Sequence, residues 1–318
     1  MSEELRENAA ALVAEGKGVL AADESNSTMN KRLDAAGVEP SEETRRQLRE
    51  LLFTTDGTAF TQVLEREGII PGIKVDKGAK PLALAEGETV TEGLDGLRER
   101  LAEYRDLGAR FAKWRATYSI GGGRPSEYAV WVNAHALARY AALCQEAGLV
   151  PIVEPEVLQD GKHTLEESSK ATGRVLQAVY TELHDQRVDL RGTLLKPNMV
   201  FSGYEADRRD GIDEVAETTL DCLYRHVPAA VPGIVFLSGG QTDEDATAHL
   251  NAMNSRGPHP WELSFSYGRA LQAPSLKAWR GDAANVEAAQ QAFYHRARLN
   301  GAARSGSYSP EMEELAAA

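Results

Sequence analysis

The chain is 318 residues long, enough for one large barrel or two average domains. Apolar residues make up 42% and charged residues 26%, the balance of a globular protein with a sizeable core. A formal net charge of −13 excludes broad attraction to nucleic-acid phosphates, so any anionic ligand has to be held by a few local cations and backbone amides.

The acidic start, Met1-Ser2-Glu3-Glu4-Leu5, lacks the basic and apolar regions of a secretory leader. No apolar run approaches the roughly 20 residues that span a bilayer. Cys144 and Cys222 sit in helical patterns and read as buried free thiols, not as a disulfide. The expectation is a cytoplasmic protein that engages neither membrane nor nucleic acid.

Along the chain, helical periodicity alternates with short apolar strands. Helices are predicted near 4–15, 41–52, 94–107, 126–147, 164–183, 213–226, 242–253 and 283–300; in the last, Val286, Ala289, Phe293 and Ala297 share one face. Seven strands are predicted between them, at 18–22, 70–75, 110–116, 149–153, 193–196, 233–237 and 263–267. This β-α alternation calls for a parallel sheet with function at the carboxyl ends of the strands. No linker or repeat divides the chain, so 1–318 reads as a single domain, with 301–318 a small, polar, mobile tail.

The strand ends carry a pattern that packing alone does not require. The strand at 193–196 closes on Lys196, behind two leucines and before a proline; burial disfavours its ammonium form and makes the amine a usable nucleophile. Alone, such a lysine is better explained by a carboxylate partner or by reaching out past the strand end. Its company shifts the reading. The first strand runs into Asp23-Glu24-Ser25, the second carries Lys74 and Asp76 on one face, the third Lys113 and Arg115 on one face, and the fourth ends in Glu154 and Glu156. In a closed barrel these residues converge: Lys113 would disfavour protonation of Lys196, and Asp23, Glu154 and Glu156 would be candidate proton carriers.

A separate signal concerns anions. Ser238-Gly239-Gly240-Gln241-Thr242 joins a strand to a helix start, where glycines let backbone amides approach a phosphate. Ser266, Gly268 and Arg269 on the next strand end add a guanidinium suited to the same group. Opposite, Ser25, Thr28, Lys31, Arg32 and Lys74 form a weaker second set, in which Lys31 and Arg32 are equally read as a solvated helix face. None of the histidines ends a strand and no paired His or Cys spacing suits zinc, so no metal is expected. A lysine nucleophile without a metal points to imine chemistry on a phosphorylated carbonyl compound.

These residues resemble the class I, Schiff-base fructose-bisphosphate aldolases. The resemblance rests on Leu20-Ala-Ala-Asp-Glu-Ser25, Gly72-Ile-Lys-Val-Asp-Lys-Gly78, Phe111-Ala-Lys-Trp-Arg115, Val150-Pro-Ile-Val-Glu-Pro-Glu156, Gly192-Thr-Leu-Leu-Lys-Pro-Asn-Met-Val200, Phe236-Leu-Ser-Gly-Gly-Gln241 and Phe265-Ser-Tyr-Gly-Arg-Ala-Leu-Gln272, in order. It implies a (β/α)8 TIM barrel that reversibly cleaves fructose 1,6-bisphosphate to dihydroxyacetone phosphate and glyceraldehyde 3-phosphate, without cofactor or metal, commonly as a homo-tetramer. By the same resemblance Lys196 forms the imine, Glu154 is the main acid/base, Asp23 assists carbon–carbon cleavage, and Lys113, Arg115 and Glu156 support imine formation and orient substrate. Ser238, Gly239, Gly240, Ser266, Gly268 and Arg269 match one phosphate site, and Ser25, Thr28, Arg32 and Lys74 the other.

The chain departs from the family twice. A stretch that normally carries the second barrel strand is missing after Leu51-Leu-Phe-Thr-Thr55, which accounts for seven strands in place of eight; residues 59–64 are the candidate replacement. An opened sheet exposes two edges and part of the core. The chain also ends without the terminal tyrosine known in animal members. The alternative to an active enzyme is therefore a catalytically impaired or non-catalytic sugar-phosphate-binding protein on the same scaffold. A transaldolase-like enzyme fits the lysine but not the two phosphate sets.

Overall fold

The computed structural model describes residues 3–52 and 60–317. Among the described residues the chain folds as a parallel barrel wall of seven strands, β1 (Val19–Leu20), β2 (Gly72–Lys74), β5 (Phe111–Tyr118), β6 (Val150–Val157), β7 (Leu194–Leu195), β8 (Gly233–Phe236) and β9 (Glu262–Tyr267). They run in the order β1-β9-β8-β7-β6-β5-β2, each parallel to its neighbours. All seven predicted strands are present. An antiparallel hairpin of β3 (Ala79–Pro81) and β4 (Thr89–Thr91), not predicted, rises beyond β2.

Among the described residues, eleven α-helices surround the sheet: α1 (Glu3–Leu12), α2 (Asn26–Ala35), α3 (Glu42–Leu52), α4 (Phe60–Arg66), α5 (Leu97–Asp106), α6 (Glu127–Glu146), α7 (Leu165–Asp185), α8 (Ile212–His226), α9 (Asp243–Asn254), α10 (Arg269–Trp279) and α11 (Val286–Arg304). Their boundaries follow local chemistry. Thr164 and Glu167 cap α7 reciprocally, each side chain accepting from the other's backbone amide. Thr242 accepts from the amide of Asp245 at 3.0 Å to start α9. Among the described residues, no helix is long and apolar enough to cross a membrane.

The core is layered. Inside the barrel, Val19, Val150, Ile152, Leu194 and Val235 meet Leu5, Ala9, Leu12 and Val13, so α1 and the turn after it close the amino-terminal end. Outside, Trp114 and Tyr140, both fully buried, mark the β5–α6 layer, and the Tyr140 hydroxyl donates to the carbonyl of Ala112 at 2.7 Å. With the floor apolar and plugged, charged side chains that face the barrel interior have room only at the carboxyl end.

Two expectations change. Residues 60–64, offered as a replacement strand, belong to α4; residue 59 lies outside the described residues. The β-branched Thr61 and Val63 suggest a strand, but Gly68 at φ 68° supplies a left-handed helix end, with the amide of Ile69 donating to Leu64 O at 2.8 Å. Residues 301–304, assigned to the tail, complete α11 with Ala303 buried, and Tyr308 packs against the outer core.

The barrel does not close among the described residues. β1 and β2 end the strand order, and no described strand lies between them. The burial of the walls records the opening: all eight residues of β6 are buried, whereas Gly72 of β2 is exposed and Ile73 and Lys74 are only half-buried.

Candidate active site

Strand register places the site. β5 pairs with β6 so that Arg115 stands beside Glu154, and Lys113, two residues earlier, shares that face. The amide of Lys196 continues the ladder past β7, donating to Val153 O at 2.8 Å. Pro197 ends it, and the next residue, Asn198, anchors the turn: its buried side chain accepts from the amide of Val157 at 2.9 Å and donates to Thr172 Oγ1 at 3.2 Å. Lys196 is thereby fixed to β6 from both sides of the peptide.

The side chains form a chain of opposite charges. Lys113 Nζ lies 2.7 Å from Asp23 Oδ2 and 2.8 Å from Glu154 Oε2, and Lys196 Nζ lies 3.2 Å from Glu154 Oε1. Lys196 is 4% exposed and Glu154 3%. Burial lowers the Lys196 pKa below the ordinary lysine value; Glu154 opposes the shift and Lys113 reinforces it. Burial pushes Glu154 the other way, but Lys113 and Lys196 outweigh it and hold the carboxyl below its usual range. Lys113, despite burial, is raised by Glu154 and Asp23 and stays a cation. Glu156, paired with Arg115, is raised, because its burial exceeds the pull of the guanidinium.

Asp23 shows the same competition. Burial would raise it, yet Lys113 and Lys196 hold it at about 2 against an ordinary 3.8. A depressed carboxyl stabilises the fold above its unfolded pKa and loses that contribution as pH falls through the folded value. Asp23 is therefore expected to contribute about 2 kcal/mol at neutral pH, lost between about pH 4 and pH 2. Urea unfolding of the parent and Asp23→Asn should show a stability gap that narrows over that window; a gap independent of pH would contradict the assignment.

Two ends flank these charges. At one, Gly239 and Gly240 have φ of 53° and 92° between β8 and α9, and Ser238 is buried beside them. The Tyr204 hydroxyl donates to Gly239 O, and a Cβ at Gly240 would sit 2.5 Å from that hydroxyl, so the turn requires glycine. Arg269 opens α10 and donates to Gln241 O at 2.6 Å, which fixes its guanidinium beside the glycines. At the other end Ser25 caps α2, its Oγ 3.0 Å from Thr28 Oγ1; Arg32 pairs with Glu24, and Lys74 with Asp76 at 2.6 Å.

With the exception of Lys31, every residue predicted for catalysis or phosphate binding lines one cavity of about 570 Å³ above the barrel floor. Lys31 does not; it is exposed on α2, on the solvated face that was the other reading of it. Sequence reasoning assigned no role to Glu24, Asp76 or Thr117, which line the cavity too. Thr117 was within reach, since it follows Lys113 and Arg115 at the strand period. Asp76 accepts from the amides of Gly78 at 3.0 Å and Arg115 at 3.3 Å, a link between β2 and β5 with no signal in either segment. Gln272, which donates to Ala21 O at 2.8 Å and Glu24 Oε1 at 2.9 Å, ties α10 to the first strand end and was likewise unsignalled. Among the described residues, no group of three or more His, Cys, Asp or Glu side chains has the geometry to hold a metal ion.

Comparison with known proteins gives a consistent result. A family model described as fructose-bisphosphate aldolase class-I matches residues 4–59 and 54–318, two pieces that meet at 54–59. The "Probable fructose-bisphosphate aldolase class 1" of Xanthomonas campestris is 53% identical over 329 positions, covering 96% of this chain and 98% of that one. "Fructose-bisphosphate aldolase 6, cytosolic" of Arabidopsis thaliana is 51% identical over 335 positions, covering 98% and 93%. A solved structure of the Plasmodium falciparum aldolase, in complex with TRAP and a small-molecule inhibitor, superposes with a TM-score of 0.94 at 45% identity, covering 96% of this chain and 95% of that one. Both alignments are longer than the 318 residues here, so these relatives carry positions without a counterpart, and the break in the family match falls at 54–59.

Proposed function

The chain belongs to the class I fructose-bisphosphate aldolases, and on that premise we propose how its own residues carry the reversible cleavage of fructose 1,6-bisphosphate to dihydroxyacetone phosphate and glyceraldehyde 3-phosphate. The Lys196 amine adds to the substrate ketone, the adduct loses water, and a protonated imine forms. Asp23 takes the proton of the C4 hydroxyl as the C3–C4 bond breaks. The bonding electrons pass into the imine, which becomes an enamine, and the aldehyde leaves. Glu154 moves protons in carbinolamine dehydration and in reprotonation of the enamine, after which water releases the ketone product. Lys113 stays cationic and holds Asp23 and Glu154 ionised; Arg115 and Glu156 orient the sugar hydroxyls. One phosphate binds at Ser238, Gly239, Gly240, Ser266, Gly268 and Arg269, the other at Ser25, Thr28, Arg32 and Lys74. No metal or dissociable cofactor enters this scheme.

The observation that carries the reading is a buried Lys196 Nζ 3.2 Å from Glu154, inside a cavity with an anion-suited end on either side. Incubation with dihydroxyacetone phosphate and borohydride is expected to leave one reduced adduct, located by peptide mass on Lys196. Folded protein that binds the ligand without forming this adduct would instead be the non-catalytic binder, a reading favoured by one feature alone, the opening between β1 and β2. We further propose a single domain over 1–318, a cytoplasmic location, and a homo-tetramer, whose mass sedimentation velocity reads directly.

A further inference from the structure

Beside the site lies a second cavity of about 380 Å³, in the opening between β1 and β2. Val19, Ile70, Ile73, Phe111 and Ile152 give it apolar walls. Lys17 and Arg49 also line it. Asp23, Lys113 and Lys196 line this cavity as well as the one above the barrel floor, so the two spaces meet at the imine lysine. The upper space is walled by carboxylates, cations and glycines; the lateral one is mainly aliphatic. In a closed barrel a strand would cover the facing edges of β1 and β2; among the described residues none does, and Ile70, just before β2, is only half-buried.

We infer that this opening is a second binding site, for carbonyl compounds bearing an unbranched aliphatic tail, with the carbonyl carbon at Lys196 Nζ and the tail lying between β1 and β2. The inference rests on the imine-forming role proposed above for Lys196. The chemistry needs no phosphate: the amine adds to a methyl ketone, a C–N bond forms, the carbonyl oxygen leaves as water, and an imine remains for borohydride to reduce with one hydride. Affinity comes from the tail. Burying each methylene strengthens binding about fourfold, until the opening is filled. A ketone entering through the charged upper mouth would gain nothing from added methylenes.

The test traps 2-butanone, 2-hexanone and 2-octanone with borohydride on the full chain, beside dihydroxyacetone phosphate as reference, with the adduct site read by peptide mass. The expected result is an adduct on Lys196 whose half-saturating ketone concentration falls about fourfold per methylene. Dihydroxyacetone phosphate should block it. Ile70→Trp and Leu64→Trp each put an indole into the opening from a different element and should cut 2-octanone trapping at least about tenfold while leaving dihydroxyacetone phosphate trapping intact, which also certifies that the variant is folded. Dihydroxyacetone phosphate trapping without any adduct of the simple ketones overturns the inference and leaves the aldolase reading standing. Ketone trapping that ignores both tail length and substitution also overturns it. A Lys196 ketone adduct where dihydroxyacetone phosphate fails would uphold the opening and remove the aldolase assignment.

Discussion

Lys196→Met is expected to lower the rate of fructose 1,6-bisphosphate cleavage by about 10⁵-fold or more, the scale on which covalent enzymes respond to loss of the nucleophile. Methionine is unbranched and close to lysine in length, and it packs readily against an apolar floor such as the one formed here by Ile152, Leu194 and Val235. Glu154 loses one cation but keeps Lys113 at 2.8 Å, so no carboxylate is left unpaired. The phosphate ends are built on other elements, so substrate affinity, read by calorimetry on the inactive protein, should stay within about tenfold of the parent. The loss then appears in kcat. Residual cleavage within a hundredfold of the parent would move the nucleophile elsewhere.

The second large effect is expected from Glu154→Gln. The amide keeps shape and hydrogen-bonding capacity but neither gives nor takes a proton near neutral pH, so the proton transfers around the imine slow by about 10²–10⁴-fold. A pH shift accompanies the loss. Trapping at Lys196 requires the neutral amine and falls as pH drops through the lysine's folded-state pKa. Burial already lowers that pKa, and Glu154 is the group that most opposes the lowering. With glutamine in its place, the ammonium loses that support and the acid limb of the trapping profile moves to lower pH. An unmoved limb would mean that Glu154 and Lys196 do not communicate as their 3.2 Å separation implies.

Much of this was legible in the sequence, and the reasons for the remainder are physical. Lys196, Glu154, Lys113 and Asp23 announce themselves because a charged residue at the end of an apolar strand conflicts with its neighbours unless it serves a site. The Ser-Gly-Gly turn does so through the conformations that only glycine adopts freely. By contrast α2 offers Met29 and Leu33 as its only buried residues, too few for a periodicity. Helix α10 carries Pro274 in its interior, which argues against a helix until packing overrides it. Helix α4 lost to the β-branched residues in it. Gln272 and Asn198 position the site through contacts between elements far apart in sequence, and no local pattern encodes such contacts.

The alternating contacts of Asp23, Lys113, Glu154 and Lys196 also fix a charge count. Imine formation consumes the neutral amine, and with Lys196 in that form beside ionised Asp23 and Glu154 and protonated Lys113 the four groups together carry one unit of negative charge, held out of water. The group that restores neutrality is a cation at the Lys196 nitrogen, the position where protonated imine appears. Among the covalent states the substrate passes through, the uncharged carbinolamine leaves the deficit in place and the iminium removes it. The neutral-amine form thus holds, in fixed carboxylates, a counter-charge for an intermediate that exists only during turnover, and the dipoles of water need not reorganise to supply it.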